Sequence, residues 1–351
     1  MPTRSRFRLQ SQSGAAVLAL TVVVLIGLMT AAASAQSKPK AEAVCSGRNM
    51  IAELEKADAA AHAKLVEAAK AIGNTEALLW KVEKAGATPS YLFGTVHLTD
   101  PRATTMPRMA EAALAAAKTV VLELADLSAD ASSRAMMQSM QLVVYSDGRR
   151  LDTLLSPQEF ETAKSALAAT GLPAEAAAMF KPWIIYMMMS VSPCERRKTA
   201  EGKLVLDATI AAKARSRGVP VLGLETIDEQ FSALAGVPDD QQLQMLRGTL
   251  KYGDRVDDLM ETVLQLYLTR QMGMTWPFQL MLAEKAGIDP APYEEFRQRL
   301  VVKRNLHMRD GALPILAKGG AFIGVGALHL PGKEGLVNLL REAGYTVTAV
   351  E

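Results

Sequence analysis

The chain has 351 residues, of which 49% are hydrophobic and 22% charged, and this balance excludes a disordered protein. A chain of this length can bury one large core or two smaller ones. The formal net charge is +2, and no block of Lys and Arg stands out in the region expected to fold, so we expect no nucleic-acid partner.

The N-terminus has the layout of a secretory signal peptide. Arginines within the first eight residues precede an apolar run, Ala15–Met29, and small residues then offer an A-x-A cleavage site ending at Ala35. We predict a signal peptide over residues 1–35, a leader over 36–49, and an exported protein that is periplasmic or secreted and keeps no stable membrane span. The alternative is an uncleaved N-terminal anchor, because residues 14–33 are long enough to cross a bilayer.

Two cysteines, Cys45 and Cys194, follow the cleavage site. An even pair in an oxidising compartment favours a disulfide. Such a bond would close a loop of about 150 residues, and in the chain-entropy model the stabilisation by a disulfide grows with the length of the loop it closes. Two unrelated buried thiols remain the alternative, and a two-cysteine metal site is disfavoured because neither residue has a C-x-x-C spacing.

The first elements alternate between helix and strand. Residues 50–72 are rich in Ala, Glu, Lys and Leu at helical spacing, and Gly-Asn follows. The runs "ALLWKVEK" and "YLFGTVHL" predict a hairpin. The helix "MPRMAEAALAAAK" then leads into the strand "TVVLELAD", which indicates a parallel crossover and an α/β fold.

Two mostly helical regions follow, at about 128–201 and 228–317, separated by the helix "LVLDATIAAKARSRG" and the strand "VPVLGLE". The chain ends with a strand, "GGAFIGVGALHL", a helix, "GKEGLVNLLREAG", and a last strand, "YTVTAV". We therefore expect residues 50–351 to form one α/β domain, in which strands from both ends of the chain share a sheet around a large helical insert.

A Gly-x-x-His motif occurs twice, each time after an apolar run. One copy holds Gly94 and His97, and the other holds Gly326 and His329, in a chain with only four histidines. A glycine before each histidine lets backbone or ligand approach closely. Each histidine ends a predicted strand, and ligands in open α/β sheets collect at the carboxyl ends of strands.

Two glutamates, Glu123 and Glu225, also end predicted strands. Two imidazoles with one or two carboxylates make a reasonable site for a divalent cation such as zinc, manganese, cobalt or iron. Each residue also has a structural alternative: the histidines as core residues, Glu225 as the salt-bridge partner of Arg304, and Glu123 as a cap of the next segment.

The tripeptide "KRN" lies in a predicted helix before the last strands. Arg304 and Asn305 could face the site from there, with Arg304 holding a carboxylate or a substrate oxyanion. A solvated basic face is the alternative.

Taken together, these motifs resemble the TraB/PrgY/GumN family, which includes the Tiki metalloproteases, from about Cys45 to the C-terminus. The resemblance is carried, in the family's order, by "LFGTVHL", "VVLELAD", "SPCE", "LDATIAAKARSRGVPVLGLETIDEQ", "KRN" and "VGALHLPGKEGLVNLLREAGYTV". Gln230 and Asn305 lie within these motifs and are expected to support the site.

The resemblance implies a mixed sheet flanked by helices, as in erythromycin esterases and haem-binding ChaN-type lipoproteins. It also implies a catalytic set of two Gly-x-x-His histidines, His97 and His329, with Glu123. Characterised Tiki members look like manganese- or cobalt-dependent proteases. This chain is similar to the bacterial GumN-like branch, whose name is tied to exopolysaccharide gene clusters.

We therefore expect an exported metal-dependent hydrolase, most simply a peptidase, acting on a peptide or small molecule. The expected metal ligands are His97, His329, Glu123 and Glu225, with Glu123 as a ligand or the general base and Arg304 stabilising an oxyanion. The alternatives are a non-catalytic haem- or metal-binding module and an accessory protein of envelope polysaccharide export. The sequence does not indicate an oligomeric state.

Overall fold

The computed structural model describes Cys45, residues 47–285 and residues 287–351. The predicted signal peptide, 1–35, and most of the predicted leader lie outside the described residues. Among the helices that are described, none has both the length and the apolar character needed to cross a membrane.

Within the described residues, six strands form one mixed sheet in the order β4-β3-β5-β2-β1-β6. Their bounds are Leu79–Glu83 (β1), Ser90–Thr95 (β2), Thr119–Leu124 (β3), Val221–Glu225 (β4), Ala321–Gly326 (β5) and Thr346–Ala349 (β6). Strands β2, β5, β3 and β4 pair in parallel, whereas β1 is antiparallel to both β2 and β6. The predicted hairpin and the predicted sharing of one sheet by both ends of the chain are confirmed.

Helices surround this sheet. The α-helices are, in chain order, Met50–Ala57 (α1), Ala59–Lys70 (α2), Pro101–Thr104 (α3), Arg108–Ala116 (α4), Ala129–Gln138 (α5), Met140–Val143 (α6), Leu151–Leu154 (α7), Pro157–Ala168 (α8), Pro182–Met189 (α9), Pro193–Ala200 (α10), Leu206–Ser216 (α11), Ile227–Ala235 (α12), Asp239–Tyr252 (α13), Val256–Leu268 (α14), Thr275–Lys285 (α15), Ala291–Arg297 (α16), Arg304–Leu316 (α17) and Leu336–Glu342 (α18). Short 3-10 helices span Ala174–Met179, Gly253–Arg255, Met272–Met274 and Ala327–His329, and a π-helical segment spans Gln298–Lys303. Helices α5–α10 and α12–α17 thus fill the two regions predicted to be helical.

Strand residues alternate between two hydrophobic cores, one on each face of the sheet. Leu79, Phe93 and Phe322 pack into the larger core, together with the helical insert. Their neighbours Trp80 and Ile323 point the other way, into a core that α17 and α18 cover. This period-2 burial on both faces gives the mixed α/β architecture that the sequence predicts.

The first helical region differs from the prediction of one continuous helix over 50–72. Asp58 separates α1 from α2 with a non-helical φ of −152°, and its Oδ1 accepts a hydrogen bond from the Ala61 backbone N–H at 3.0 Å. A short acidic side chain competes for backbone donors in this way, so it caps a new helix instead of continuing the old one.

Cys45 and Cys194 form the predicted disulfide, with their Cα atoms 5.7 Å apart across 149 positions of sequence. Cys194 lies in the first turn of α10, so the bond attaches the start of the described chain to the middle of the helical insert. The next residue, Glu195, accepts hydrogen bonds from the Thr99 backbone N–H at 2.9 Å and from the Thr99 hydroxyl at 2.8 Å. Helix α10 therefore braces the segment that follows β2.

Candidate functional site

The parallel strands bring the predicted site residues to one edge of the sheet. Thr95 at the end of β2 pairs with Gly326 at the end of β5, and Glu225 at the end of β4 pairs with the last residue of β3. Glu123 lies within β3, two positions before that strand leaves the sheet. His97 follows β2 by two residues and His329 lies in the 3-10 turn after β5, so both stand just beyond their strands.

Both glycines of the Gly-x-x-His motifs lie where a side chain would meet the site. Gly94 is close to the turn that carries His329, and Gly326 is close to Glu123 and both histidines. A Cβ on Gly94 would lie 2.8 Å from Leu330 Cδ1 and 3.1 Å from Ala327, in the turn that carries His329. A Cβ on Gly326 would lie 3.1 Å from a Glu123 oxygen, 3.5 Å from the His329 ring and 4.0 Å from His97 Nε2. Glu123, His329 and His97 thus surround the position that a Cβ of residue 326 would occupy, and glycine leaves this space free because it has no Cβ.

His97 is held through one ring nitrogen and leaves the other free. Its Nδ1 lies 2.8 Å from Asp207 Oδ2, and Asp207 Oδ1 accepts a hydrogen bond from the Thr95 hydroxyl at 2.8 Å. Within the described residues, His97 Nε2 is buried and has no hydrogen-bond partner. Burial lowers the pKa of His97, but the negative charges of Asp207 and Glu123 outweigh it, so the net shift is upward.

His329 is held in the same manner by an amide. Its Nδ1 lies 2.6 Å from Asn305 Oδ1, and the Asn305 amide nitrogen donates to the Glu334 carbonyl at 2.7 Å. Because an amide oxygen only accepts, His329 Nδ1 carries the proton and Nε2 keeps its lone pair, 3.7 Å from Glu123 Oε1. Burial, the nearby guanidinium of Arg304 and His97 hold the pKa of His329 at about 3, against the opposing charge of Glu123, so its ring is neutral.

Arg304 links the two glutamates. Its Nη2 donates to Glu123 Oε2 at 2.7 Å and to Glu225 Oε2 at 2.6 Å, and its Nε donates to Glu225 Oε1 at 2.9 Å. Gln230 donates to both carboxylates, at 3.3 Å and 3.1 Å. The predicted ligand Glu225 is therefore engaged by Arg304 and Gln230, and its structural alternative, a salt bridge to Arg304, is present.

Glu123 stands between this cluster and the histidines. Its Oε1 accepts a hydrogen bond from the Gly326 backbone N–H at 2.7 Å. Burial alone raises the pKa of Glu123, but Arg304, the two histidines and the Gly326 N–H favour the anion and bring the pKa to about 2. The site thus contains a carboxylate that stays ionised over the physiological pH range.

Sequence reasoning missed Asp207 and Thr95 as site residues. Asp207 lies in the first turn of α11 and Thr95 ends β2, and both are buried. The available signal was an acidic residue inside a segment that is otherwise apolar on its buried face. Only the packing of α11 against β3 in three dimensions shows that this acid reaches His97.

The types of side chain in the site suit a divalent metal, but their spacing in this structure is not that of a formed metal site. Within the described parts of the chain, no three His, Cys, Asp or Glu side chains are spaced as a formed metal site. The fit is carried by the orphaned His97 Nε2, the available His329 Nε2 and the open point beside Gly326. Charge points the same way, because the Glu123 carboxylate beside the two imidazoles has a lowered pKa and stays ionised.

The fold and the site define an α/β protein with a buried histidine–carboxylate centre at the carboxyl edge of a mixed sheet. The model of the TraB/PrgY/gumN family matches residues 78–349, and the chain belongs to that family. The resemblance drawn from the motifs is thereby confirmed.

A curated relative is the "Metalloprotease TIKI homolog" of Nematostella vectensis, 25% identical over 333 residues, which cover 79% of this chain and 68% of the relative. No solved structure matches the chain. The printed name of that relative describes a metalloprotease.

Proposed function

We propose that this protein is an exported metal-dependent peptidase whose centre is formed by His97, His329 and Glu123. The observation that carries the proposal is the matched anchoring of the two histidines. Each contacts an oxygen through Nδ1, and the space beside Gly326 is bordered by His97 Nε2 at 4.0 Å and by the His329 ring carbon Cδ2 at 3.5 Å. A ring fixed in this way is preorganised to bind a metal through Nε2.

His97, His329 and Glu123 would hold a divalent ion, which would supply Lewis-acid activation of water when bound. The protein's own residues do the positioning. Asp207 and Asn305 fix the two rings, and Arg304 with Gln230 holds Glu123 through Oε2, so that Oε1 faces His329. The side chain of His97 is 10% exposed and the other groups are buried, which limits access of bulk water and strengthens each charge interaction.

Glu123 serves as an anionic ligand in this proposal, and a general-base function fits less well. Both of its oxygens accept hydrogen bonds, from Arg304 and Gln230 on one side and from Gly326 on the other, and these bonds stabilise the anion. A general base works best with a pKa near the working pH. Arg304 commits donors to two carboxylates, so its proposed function is to clamp them.

Export is supported by the disulfide, which is typical of proteins in oxidising compartments. The signal peptide remains a prediction that a mass measurement of the mature N-terminus tests, with Gln36 as the expected first residue.

Hydrolysis of a peptide library by the purified protein, stripped with chelator and reloaded with Mn, Co, Zn or Fe, tests the proposed activity. A Gly326→Ala variant puts a methyl group 3.1 Å from the Glu123 oxygen, and we expect it to lose at least roughly tenfold of the metal-dependent rate. Gly311→Ala is the matched control, because its methyl group meets Leu224 Cδ2 at 3.4 Å and no residue of the proposed centre. Absence of hydrolysis with every metal, or equal losses in both variants, contradicts the proposal.

A further inference from the structure

A cleft of about 580 Å³ borders the site. One wall is the end of α2 and the loop after it, Ala71–Asn74, and another is formed by Met272, Gly273 and Trp276. The turn around His329 contributes Leu328 and the segment Pro331–Glu334. The volume falls within the roughly 300–1,000 Å³ of typical ligand clefts.

The walls of this cleft are mainly apolar. Ile72, Met272, Trp276, Val301 and Leu328 line it, beside a smaller number of polar and charged side chains that include Arg297, Asn305 and Lys333. An apolar wall with a few polar groups is the usual lining of a site that binds an organic ligand. The cleft is therefore suited to an apolar body with polar flanking groups, as in a peptide.

The charged residues of the cleft, Arg297, Lys333 and Glu334, do not favour a charged side chain on the ligand. Arg297 is paired with Glu294 at 2.8 Å and with Glu334 at 2.9 Å. Lys333 is exposed and, within the described chain, has no ion-pair partner. It is therefore the one cation of the described cleft lining that is not neutralised by a carboxylate. A single solvated lysine contributes little binding energy, so the apolar wall decides what fits.

Asn305 belongs to both the cleft and the site. This buried amide lines the cleft and also holds His329 Nδ1 at 2.6 Å, while its nitrogen donates to the Glu334 carbonyl. Leu328 and Pro331 lie on either side of His329 in the chain. A ligand in the cleft therefore borders Asn305, the residue that fixes His329.

We propose that this cleft is a specificity subsite that takes a large apolar side chain, such as Leu or Met, of a peptide beside the bond to be cleaved. The inference rests on the proposed peptidase function and adds the residue class that the substrate presents. The π-helical segment Gln298–Lys303 supports it, because the same segment carries Val301 into the cleft and leads directly into Arg304 at the site. Such π-helical segments are frequent at functional sites.

Trp276 gives a readout that needs neither metal nor activity. The chain has three tryptophans, and Trp80 and Trp183 are buried in the core, whereas Trp276 is half-buried in the cleft wall. Chelator-treated protein is titrated with blocked tripeptides that differ only in a central Gly, Ala, Leu or Met. We expect a saturable change in emission, with the Leu and Met peptides binding roughly tenfold or more tightly than the Gly peptide. A Trp276→Phe variant should lose the change.

Two neighbouring valines provide the matched variants. Val301→Phe fills the cleft and should abolish the preference for Leu and Met, whereas Val302→Phe, equally half-buried but outside the lining, should keep it. Equal binding of the Gly and Leu peptides, or retention of the preference in Val301→Phe, overturns the inference. Far-ultraviolet circular dichroism of both variants checks that each is folded.

The same peptides, offered to metal-loaded protein, separate the two proposals. Cleavage without any preference for Leu or Met leaves the peptidase standing and overturns the subsite. Selective binding with no cleavage by any metal form supports the subsite as a peptide cleft and contradicts the peptidase.

Discussion

Arg304 is the cation on which the buried charges depend. It is 6% exposed and holds Glu123 and Glu225, which are 3% and 8% exposed. The two carboxylates share its guanidinium in a region that water hardly reaches. A buried pair of this kind adds little net stability, but loss of one partner leaves an uncompensated charge.

Replacing Arg304 by Met should therefore lower the free energy of unfolding by about 3–5 kcal/mol. Urea denaturation monitored by circular dichroism measures the change. Lys303→Met is the matched control, because it removes an exposed cation from the preceding position and should change the stability by less than about 0.5 kcal/mol. Similar, small effects of the two substitutions would mean that the buried carboxylates need no cation.

The disulfide joins elements that the chain itself keeps far apart. Cys45 precedes α1, and α1 packs on α14, where the Met50 backbone N–H donates to Thr262 at 2.9 Å. Cys194 starts α10, whose Glu195 braces Thr99 after β2. Through α10, the bond thus supports the segment after β2 that carries His97.

Removal of this bond by Cys45→Ser with Cys194→Ser should lower the free energy of unfolding by about 4–5 kcal/mol, because a loop of about 150 residues is no longer closed in the unfolded chain. Reducing agent should destabilise the wild-type protein by a similar amount and leave the double variant unchanged. The account is contradicted if reducing agent leaves the free energy of unfolding of the wild-type protein unchanged even though both thiols are shown to be free.

The strands and the two histidines could be predicted from the sequence because their signals are local. The same pattern, an apolar run followed by Gly-x-x-His, marks both β2 and β5 in the sequence. These two strands, from opposite ends of the chain, are parallel neighbours in the sheet. The break at Asp58 was not predicted, since the helical spacing continues through it and only the capping geometry separates α1 from α2.

Contacts between distant segments account for the rest. Asp207 reaches His97 across 110 positions only because α11 packs beneath β2 and β3, as the Thr95 hydrogen bond to the same carboxylate shows. The π-helical turn directly before Arg304 has no sequence signature and could not be predicted. Glu225 was expected among the ligands because its strand end was visible, while its pairing with Arg304 depended on a helix 79 positions away.

Considered as a whole, the metal-free protein should lose stability in acid. The pKa of His329 is about 3 when folded and 6.5 when free, and that of Glu123 is about 2 against 4.5. In both cases the unfolded chain binds protons first, so stability falls as the pH drops from 6.5 toward 2. The raised pKa of His97 acts in the opposite sense, since its contribution is present below pH 6.5 and is lost as the pH rises through its folded value.

Urea denaturation in chelator at pH 7, 5.5 and 4 measures this dependence. His329→Gln should flatten the slope between pH 6.5 and 4, because a glutamine does not titrate. His62→Gln, a change on α2 outside the site, should keep the wild-type slope. An unchanged slope in His329→Gln would show that this ring is not buried in its neutral form.

The metal content of the purified protein tests the central claim most directly. Mass spectrometry of the wild type after gel filtration, beside the His97→Ala/His329→Ala double variant, compares the metal bound in each. The account predicts about one divalent ion per chain in the wild type, lost in the double variant, and a roughly 10- to 100-fold weaker affinity in Asp207→Ala. A metal-free wild type that also fails to take up added Mn, Co, Zn or Fe contradicts the account and leaves the two histidines as core residues.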